Sequence, residues 1–179
     1  MLSSTIKLAR AGAELAICPD NNLHYVFDRV ASRSPVPWLH MIEEVAAEAS
    51  RHAYAVVGVL GTRQVMESSL YPATLATRGI ETRVPPADDR ERIDAIIRGE
   101  LVQGVVRDSS RDYLAGVVKA LHAAGSAALV IGCTKLPILL NVDRCRLPCL
   151  DSKRLIALAA LREAVAPPPP AACKTTERC

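Results

Sequence analysis

The sequence predicts an α/β protein built on parallel strands with helices packed against them, and three observations carry this. Short apolar runs alternate with amphipathic helical patterns along the 179 residues, and the connections between them are short. Half of the residues are hydrophobic but only 3% are aromatic, so the core must consist mostly of Ala, Val, Leu and Ile, as in helices packed on parallel strands. The run Ala127–Ile131 is apolar at every position, as a strand buried on both faces must be. The length suits one domain or two small lobes.

Taken in order, Ser3 to Ala11 reads as a short helix with Leu2, Ile6 and Ala9 on one face and Gly12 as its stop. Glu14 to Cys18 reads as a strand. Pro19-Asp20-Asn21-Asn22 is a turn opening a helix through Arg29, and Asp20, Asn21 or Asn22 can cap it. Ser34 to His40 contains two prolines and is extended. Met41 to Arg51 carries a helical stripe of Ile42, Val45, Ala46 and Ala49. Ala55 to Leu60 is the next buried strand. Gly61-Thr62-Arg63 follows, with a helix from about Val65; strand, glycine, hydroxyl and helix N-terminus together make a cradle of backbone N–H groups for an anion.

A helix over Leu70 to Arg78 ends at Gly79, and Ile80 to Val84 is a shorter strand. Pro85-Pro86 breaks the chain before a charged helix, Asp88 to Glu100, whose charges read as a solvated face. Arg111 to Ala124 is a helix stopped by Gly125, which feeds the strand Ala127–Ile131. Leu136 to Leu140 is apolar enough to open a packed helix, with Pro137 in its first turn. Asn141 to Cys145 is a polar loop. Leu147 to Ser152 leads into a helix over Lys153 to Val165, capped by Asp151 or Ser152. Residues 166–179, with four consecutive prolines, read as a disordered tail.

The net charge of +3 is small and dispersed, which argues against nucleic acid as a partner. No apolar run reaches the ~20 residues of a membrane span, and the first residues lack the apolar core of a signal peptide. The six cysteines lie at 18, 133, 145, 149, 173 and 179. Cys145 and Cys149 are close in sequence, but no nearby His or Cys pair completes a zinc set, so no metal is expected. A reduced, cytoplasmic chain is the expectation.

The most informative stretch is Gly132-Cys133-Thr134-Lys135-Leu136-Pro137. Gly132 permits a tight exit from the strand through backbone angles closed to other residues. Cys133 and Thr134 then stand at the C-terminal end of a strand, where open α/β sheets bind ligands. A thiol at a helix N-terminus is pushed toward the reactive thiolate, whereas one in an apolar run is more commonly buried and inert. Lys135 is either a surface lysine or a partner for a substrate carboxylate.

This stretch resembles the second cysteine motif of the aspartate/glutamate racemase family, usually Gly-Cys-Thr-Glu-Leu-Pro. The resemblance runs in order through roughly residues 10–165. Pro19 to His24 resembles the first motif, Pro-Cys-Asn-Thr-Ala-His: Asn21 and His24 match, Asp20 stands at the cysteine and Asn22 at the threonine. Val36 to Glu44 resembles the segment Ile-Pro-Val-Ile-Asn-Met-Ile-Glu-Glu, with His40 a hinge or an ordinary polar loop residue. Gly61-Thr62 matches a substrate-binding Gly-Thr, and Leu147 to Ser152 resembles the closing Pro-Leu-Ile-Asp-Pro/Ser strand.

The resemblance implies two small parallel-sheet lobes with helices on both faces. The first lobe, residues 1–41 plus 150–165, lacks the family's opening unit and glycine-rich loop; the second is 42–149. It implies a shortened chain that aggregates or relies on a partner subunit, with a homodimer among the options. It implies cofactor-independent inversion at Cα of a small acidic amino acid by two bases, Cys133 and Asp20. Asn21, Asn22, Gly61, Thr62, Thr134 and Lys135 would hold the substrate. Lys135 replaces the family's glutamate. Asp20 is an intrinsically weaker base than a thiolate and would need burial to become useful. The alternatives are a single-cysteine lyase or cis–trans isomerase of the same superfamily, and a non-catalytic remnant that binds a small carboxylate.

Overall fold

The computed structural model describes residues 1–141 and 145–166. Its centre is a four-stranded, wholly parallel sheet made of β1 (Val56–Gly61), β2 (Glu81–Arg83), β3 (Ala128–Gly132) and β4 (Cys149–Asp151), in the order β2-β1-β3-β4. β1 and β3 pair over five residues, from Val57↔Ala128 to Gly61↔Gly132. The chain leaves β1 toward one edge to form β2, then returns past β1 to build β3 and β4. The reversal falls between β1 and β3, where doubly wound sheets open a crevice at their carboxyl ends. The expected tail, 167–179, with Cys173 and Cys179, lies outside the described residues.

The alternation of side chains along each strand sorts the core into two layers. On one face Leu60, Leu129 and Ile131 meet α6 (Ala87–Gly99) through Ile93, Ile96 and Ile97, and α7 (Asp108–Ala123) through Leu114, Val117, Val118 and Leu121. On the other, Val57, Val59, Ala128, Val130 and Leu150 meet α3 (Met41–Arg51) through Ile42, Val45, Ala46 and Ala49, and α5 (Leu70–Ala76) through Tyr71 and Leu75. The final helix, α8 (Ser152–Val165), packs on α3, and Arg162 pairs with Glu44 across that contact at 2.6 Å. Residues 150–165, grouped from sequence with the first lobe, are therefore continuous with this sheet.

α3 begins at Met41 because His40 Nδ1 accepts a hydrogen bond from the Glu43 N–H at 3.2 Å, an N-cap. His40 thus has a local structural task. Gly79 and Gly125 follow α5 and α7 with φ of +70° and +95°, the left-handed stops expected of them.

Four local expectations are corrected. Glu14–Cys18 forms no strand; it contributes a single parallel bridge, Ala16↔Trp38, through Ala16 N–H to Pro37 O at 2.9 Å and Leu39 N–H to Ala16 O at 3.2 Å. The prolines at 35 and 37 have no N–H to extend that ladder. The helix expected through Arg29 splits into a 3₁₀ turn, Asn22–Val26, and α2 (Phe27–Ala31). Leu136–Leu140 makes only a 3₁₀ turn, Leu136–Ile138, since an apolar run of five offers too few residues to propagate a helix past its nucleus. Cys133 therefore has no helix dipole behind it. Gly132 has no positive φ, and its role is spatial: a Cβ there would lie 3.0 Å from Val65 Cγ1 and 3.2 Å from Leu60 O.

Ile131 is 1% exposed at the centre of the sheet, whereas Leu161 on α8 is 59% exposed. Ile131→Ala is expected to destabilise the fold by about 2–5 kcal/mol, and Leu161→Ala by no more than about 0.5 kcal/mol. Urea unfolding of the two variants beside the parent measures the difference.

Candidate active site

The crevice at the switch point is a cavity of about 170 Å³. The turn before the first 3₁₀ segment brings Asp20, Asn21 and Asn22 to it. The end of β1 brings Thr62, and the end of β3 brings Gly132, Cys133, Thr134 and Lys135. Residues more than a hundred positions apart in sequence thus face one small space. Gly61, expected among the binding residues, does not line it. It sits beneath, paired with Gly132, where a Cβ would come within 3.1 Å of Gly132 O. The two glycines let the strand ends lie side by side with Val65 packed over them.

Cys133 is 9% exposed and otherwise enclosed by the apolar core beneath α6 and α7. Thr134 and Lys135 are half-buried at the rim. Thr62 caps α4 (Arg63–Met66) by accepting from the Val65 N–H at 3.4 Å, and its hydroxyl donates to Asn22 Oδ1 at 3.4 Å. That bond joins the first motif to the end of β1.

Asp20 is exposed, so the burial it would need to become a useful base is not present in this structure. Its Oδ1 accepts from the N–H groups of Asn22 at 2.9 Å and Leu23 at 3.2 Å. It therefore performs the capping that its sequence position suggested.

Asn21 is held by a buried chain of hydrogen bonds. Tyr71 Oη donates to Asn21 Oδ1 at 2.5 Å, Asn21 Nδ2 donates to Ser152 Oγ at 3.1 Å, and Ser152 Oγ donates to Ile131 O at 2.8 Å. Burial pushes the Tyr71 phenol well above its ordinary range, so it acts as a donor. One amide hydrogen of Asn21 remains for the cavity. His24 braces the same turn from behind. Its Nε2 accepts from the Met41 N–H at 3.1 Å, which leaves the proton on Nδ1 to be donated to Asp20 O at 2.8 Å. The ring is thus neutral, and it stacks on Phe27 and meets His40 edge-on at 4.8 Å.

Sequence reasoning missed Tyr71, Ser152 and Arg98. Arg98 reaches the cavity from the charged helix read as a solvated face. Its Nε donates to Asp94 Oδ2 at 2.7 Å, while Asp94 Oδ1 accepts from the Arg63 N–H at 2.9 Å. Arg98 and Lys135 give the cavity two cations beside the carboxylate of Asp20. No group of His, Cys, Asp and Glu that could hold a metal ion occurs among the described residues. Among these residues no helix is long and apolar enough to cross a membrane.

A parallel sheet that gathers a thiol, amides, hydroxyls and cations at its switch point has the α/β architecture in which ligands bind at the carboxyl ends of the strands. Comparison with known proteins is more specific. The family described as Asp/Glu/Hydantoin racemase matches residues 1–160. A broad-specificity amino-acid racemase of Bacillus subtilis is 22% identical over 160 residues, 88% of this chain and 67% of that protein. A glutamate racemase of Pseudomonas entomophila is 30% identical over 129 residues, 72% of this chain and 47% of that protein. A crystal structure from Yersinia pestis assigned to the Asp/Glu racemases superposes with a TM-score of 0.85 at 33% identity, covering 92% of this chain and 72% of the other. The chain belongs to the Asp/Glu/hydantoin racemase family. It spans about two thirds of the Bacillus protein and about half of the Pseudomonas one.

Tyr71→Phe leaves Asn21 Oδ1, in a side chain 3% exposed, without its donor. A loss of about 1–3 kcal/mol is expected in urea unfolding. A pH effect follows from the histidines. Burial lowers the proton affinity of both His24 and His40, with Asp20 acting against it at His24 and Glu43 and Asp28 at His40. The unfolded chain then binds more protons than the folded one below the ordinary histidine range. Stability is fully present above about pH 6.5 and falls as the pH drops below it, by at most about 1.4 kcal/mol per pH unit for each ring. Unfolding midpoints measured from pH 7.5 to 5.5 check this, and His24→Asn should flatten the slope.

Proposed function

We propose that this chain is a cofactor-independent isomerase of the racemase type, acting at Cα of a small acidic amino acid such as aspartate or glutamate. The observation that carries this reading is the convergence of Cys133, Asp20, Asn22, Thr62 and Thr134 on one cavity of about 170 Å³ at the switch point. That space is well below the ~300 Å³ at which drug-sized pockets begin and suits a small substrate. Arg98 and Lys135 supply positive charge for a dicarboxylate, and the family membership favours chemistry at an amino-acid Cα.

In this reading the Cys133 thiolate removes the Cα proton. Asp20, which lines the same cavity, returns one to the other side of the planar intermediate. The carbanion's charge spreads into the α-carboxylate, and donors aimed at that carboxylate stabilise it as the charge develops. The amide N–H groups of Asn22, the hydroxyl of Thr134 and the remaining Asn21 N–H are the candidates, since the Thr62 hydroxyl proton is already given to Asn22 Oδ1. The enclosed setting of Cys133 limits water at the thiol, which strengthens these interactions.

A second reading has its own support. Asp20 is exposed and its Oδ1 is occupied by two backbone N–H groups, which suits a cap better than a proton carrier. On that basis Cys133 acts alone, as in a single-cysteine lyase or cis–trans isomerase of the superfamily.

The test is incubation with L- and D-aspartate and L- and D-glutamate in D₂O, following the Cα–H signal by NMR and enantiomer content by chiral chromatography. Deuterium incorporation that falls about 10²-fold or more in Cys133→Ala is expected. If the two-base reading holds, Asp20→Asn lowers inversion by a similar factor while exchange from one enantiomer survives. Inversion unchanged in Asp20→Asn sinks the two-base reading. Exchange unchanged in Cys133→Ala sinks both.

A further inference from the structure

One wall of the strand-end cavity takes no part in the chemistry proposed for it. Asp20 and Asn22 come from the first turn, Thr62 from the end of β1, and Cys133 and Thr134 from the end of β3. Three further lining residues, Ile97, Arg98 and Val102, come from the last turn of α6 and the 3₁₀ turn Leu101–Gln103 that follows it. Ile97 is 2% exposed and belongs to the core under α6, so packing sets its position. Val102 is exposed. The wall thus presents two apolar side chains and one guanidinium. None of them takes a proton from carbon or returns one, because a guanidinium stays charged in a protein.

Arg98 is fixed by a second residue of α6. Its Nε donates to Asp94 Oδ2 at 2.7 Å, one helical turn earlier. Asp94 is itself held, since its Oδ1 accepts from the Arg63 N–H at 2.9 Å. Arg63 directly follows Thr62, so Asp94 joins α6 to the end of β1 and sets where Arg98 stands relative to the reacting groups. With Nε engaged, the guanidinium keeps its Nη1–Nη2 edge, which makes no hydrogen bond among the described residues. That edge has the shape that takes a carboxylate through two parallel N–H···O bonds. The other cation of the cavity is placed differently: Lys135 follows Cys133 and Thr134 directly, at the rim beside the reacting groups.

We propose that this wall is the side-chain subsite of the cavity and that Arg98 is its specificity-determining residue. Ile97 and Val102 pack against the methylene groups of the substrate, and the Nη1–Nη2 edge of Arg98 grips its side-chain carboxylate. The inference rests on the reading of the cavity as a site for an acidic amino acid, and it assigns the choice of acid over amide to one residue. Asp94 is a positioning residue, which touches Arg98 and not the substrate. Lys135 faces the α-carboxylate, which every amino acid carries. The side-chain amide of asparagine or glutamine fills the same space, but it offers one acceptor oxygen and sets an NH₂ against a guanidinium that has only donors. A site built to pair with a carboxylate rejects a group that leaves its donors unmatched.

Aspartate, glutamate, asparagine and glutamine are titrated calorimetrically into the full chain, and their Cα–H exchange in D₂O is followed alongside. The parent should bind the acids more tightly than the amides. Arg98→Gln should weaken the acids about tenfold or more and the amides much less, so that the acid-to-amide ratio falls. In turnover the loss should appear mainly in KM, as expected of a contact made equally in ground and transition states. Arg98→Lys should restore part of the ratio, and Asp94→Asn should lower it less than Arg98→Gln does. Lys135→Gln should weaken acids and amides alike. A parent with no preference for the acids overturns the subsite. So does a preference that survives Arg98→Gln, a loss in Arg98→Gln shared equally by acids and amides, or a preference lost in Lys135→Gln instead. Cα exchange absent from a parent whose choice of acids does depend on Arg98 sinks the racemase chemistry alone and leaves the subsite standing.

Discussion

The site exists because β1 and β3 can end side by side with no side chain between them. Gly61 and Gly132 are register partners, and Val65 packs over both. A methyl group at either position would push on Val65 and on the carbonyl oxygen of the neighbouring strand. A separation there would carry Thr62 and Cys133 apart, since each follows its glycine directly. The same pairing lies where the sheet order reverses, the place at which helices diverge and leave a crevice. Chain topology creates the opening, and the two glycines keep it narrow.

A narrow crevice still needs its third side, the turn Pro19–Asn22, which belongs to no sheet. Hydrogen bonds fix it. Tyr71 comes from α5, Ser152 from the first position of α8, and Ile131 O from β3, and all three converge on Asn21. Inside a protein such a network is strong, and removing any of its partners leaves a costly orphan. His24 adds a second attachment, from Asp20 O to the Met41 N–H that opens α3. The turn is thus bound to α3, α5, α8 and β3, each of which is packed on the sheet. Asn21 serves chiefly as a structural pin; of its side chain, only one amide hydrogen is left for a ligand.

Much of the framework is legible in the sequence, for physical reasons that differ by element. Met41–Arg51 is recovered at both ends because its stripe of Ile42, Val45, Ala46 and Ala49 repeats at the helical period, whereas the cap by His40, read from sequence as a hinge or loop residue, shows only in the structure. β1 and β3 are legible because both faces are buried, so nearly every residue is apolar. Leu136–Leu140 misleads because apolar content alone cannot tell a packed helix from a buried turn of one 3₁₀ cycle. Cys133, Asp20, Asn22, Thr62 and Thr134 are found through local motifs. Tyr71 and Ser152 are not, because their bonds to Asn21 span 50 and 131 residues and neither residue is unusual in its own segment. Arg98 is concealed by its neighbours, since one useful cation in a helix rich in charge carries no local mark.

The unresolved chemical tension at the site concerns Asp20. A carboxylate that accepts backbone N–H bonds is stabilised in its charged form, while a useful general base at a carbon acid must compete for a reluctant proton. The two demands conflict so long as the residue is exposed and capping. They are reconciled only if substrate, entering the crevice, covers the carboxylate and replaces its water with the dipoles of Asn22, Thr62 and Thr134. Cys133, by contrast, is enclosed before substrate arrives. On the proposed two-base reading an enclosed thiol and an exposed carboxylate are unlike partners, so kcat and KM should each differ between the two enantiomers while kcat/KM stays the same for both, because enantiomers are equal in free energy.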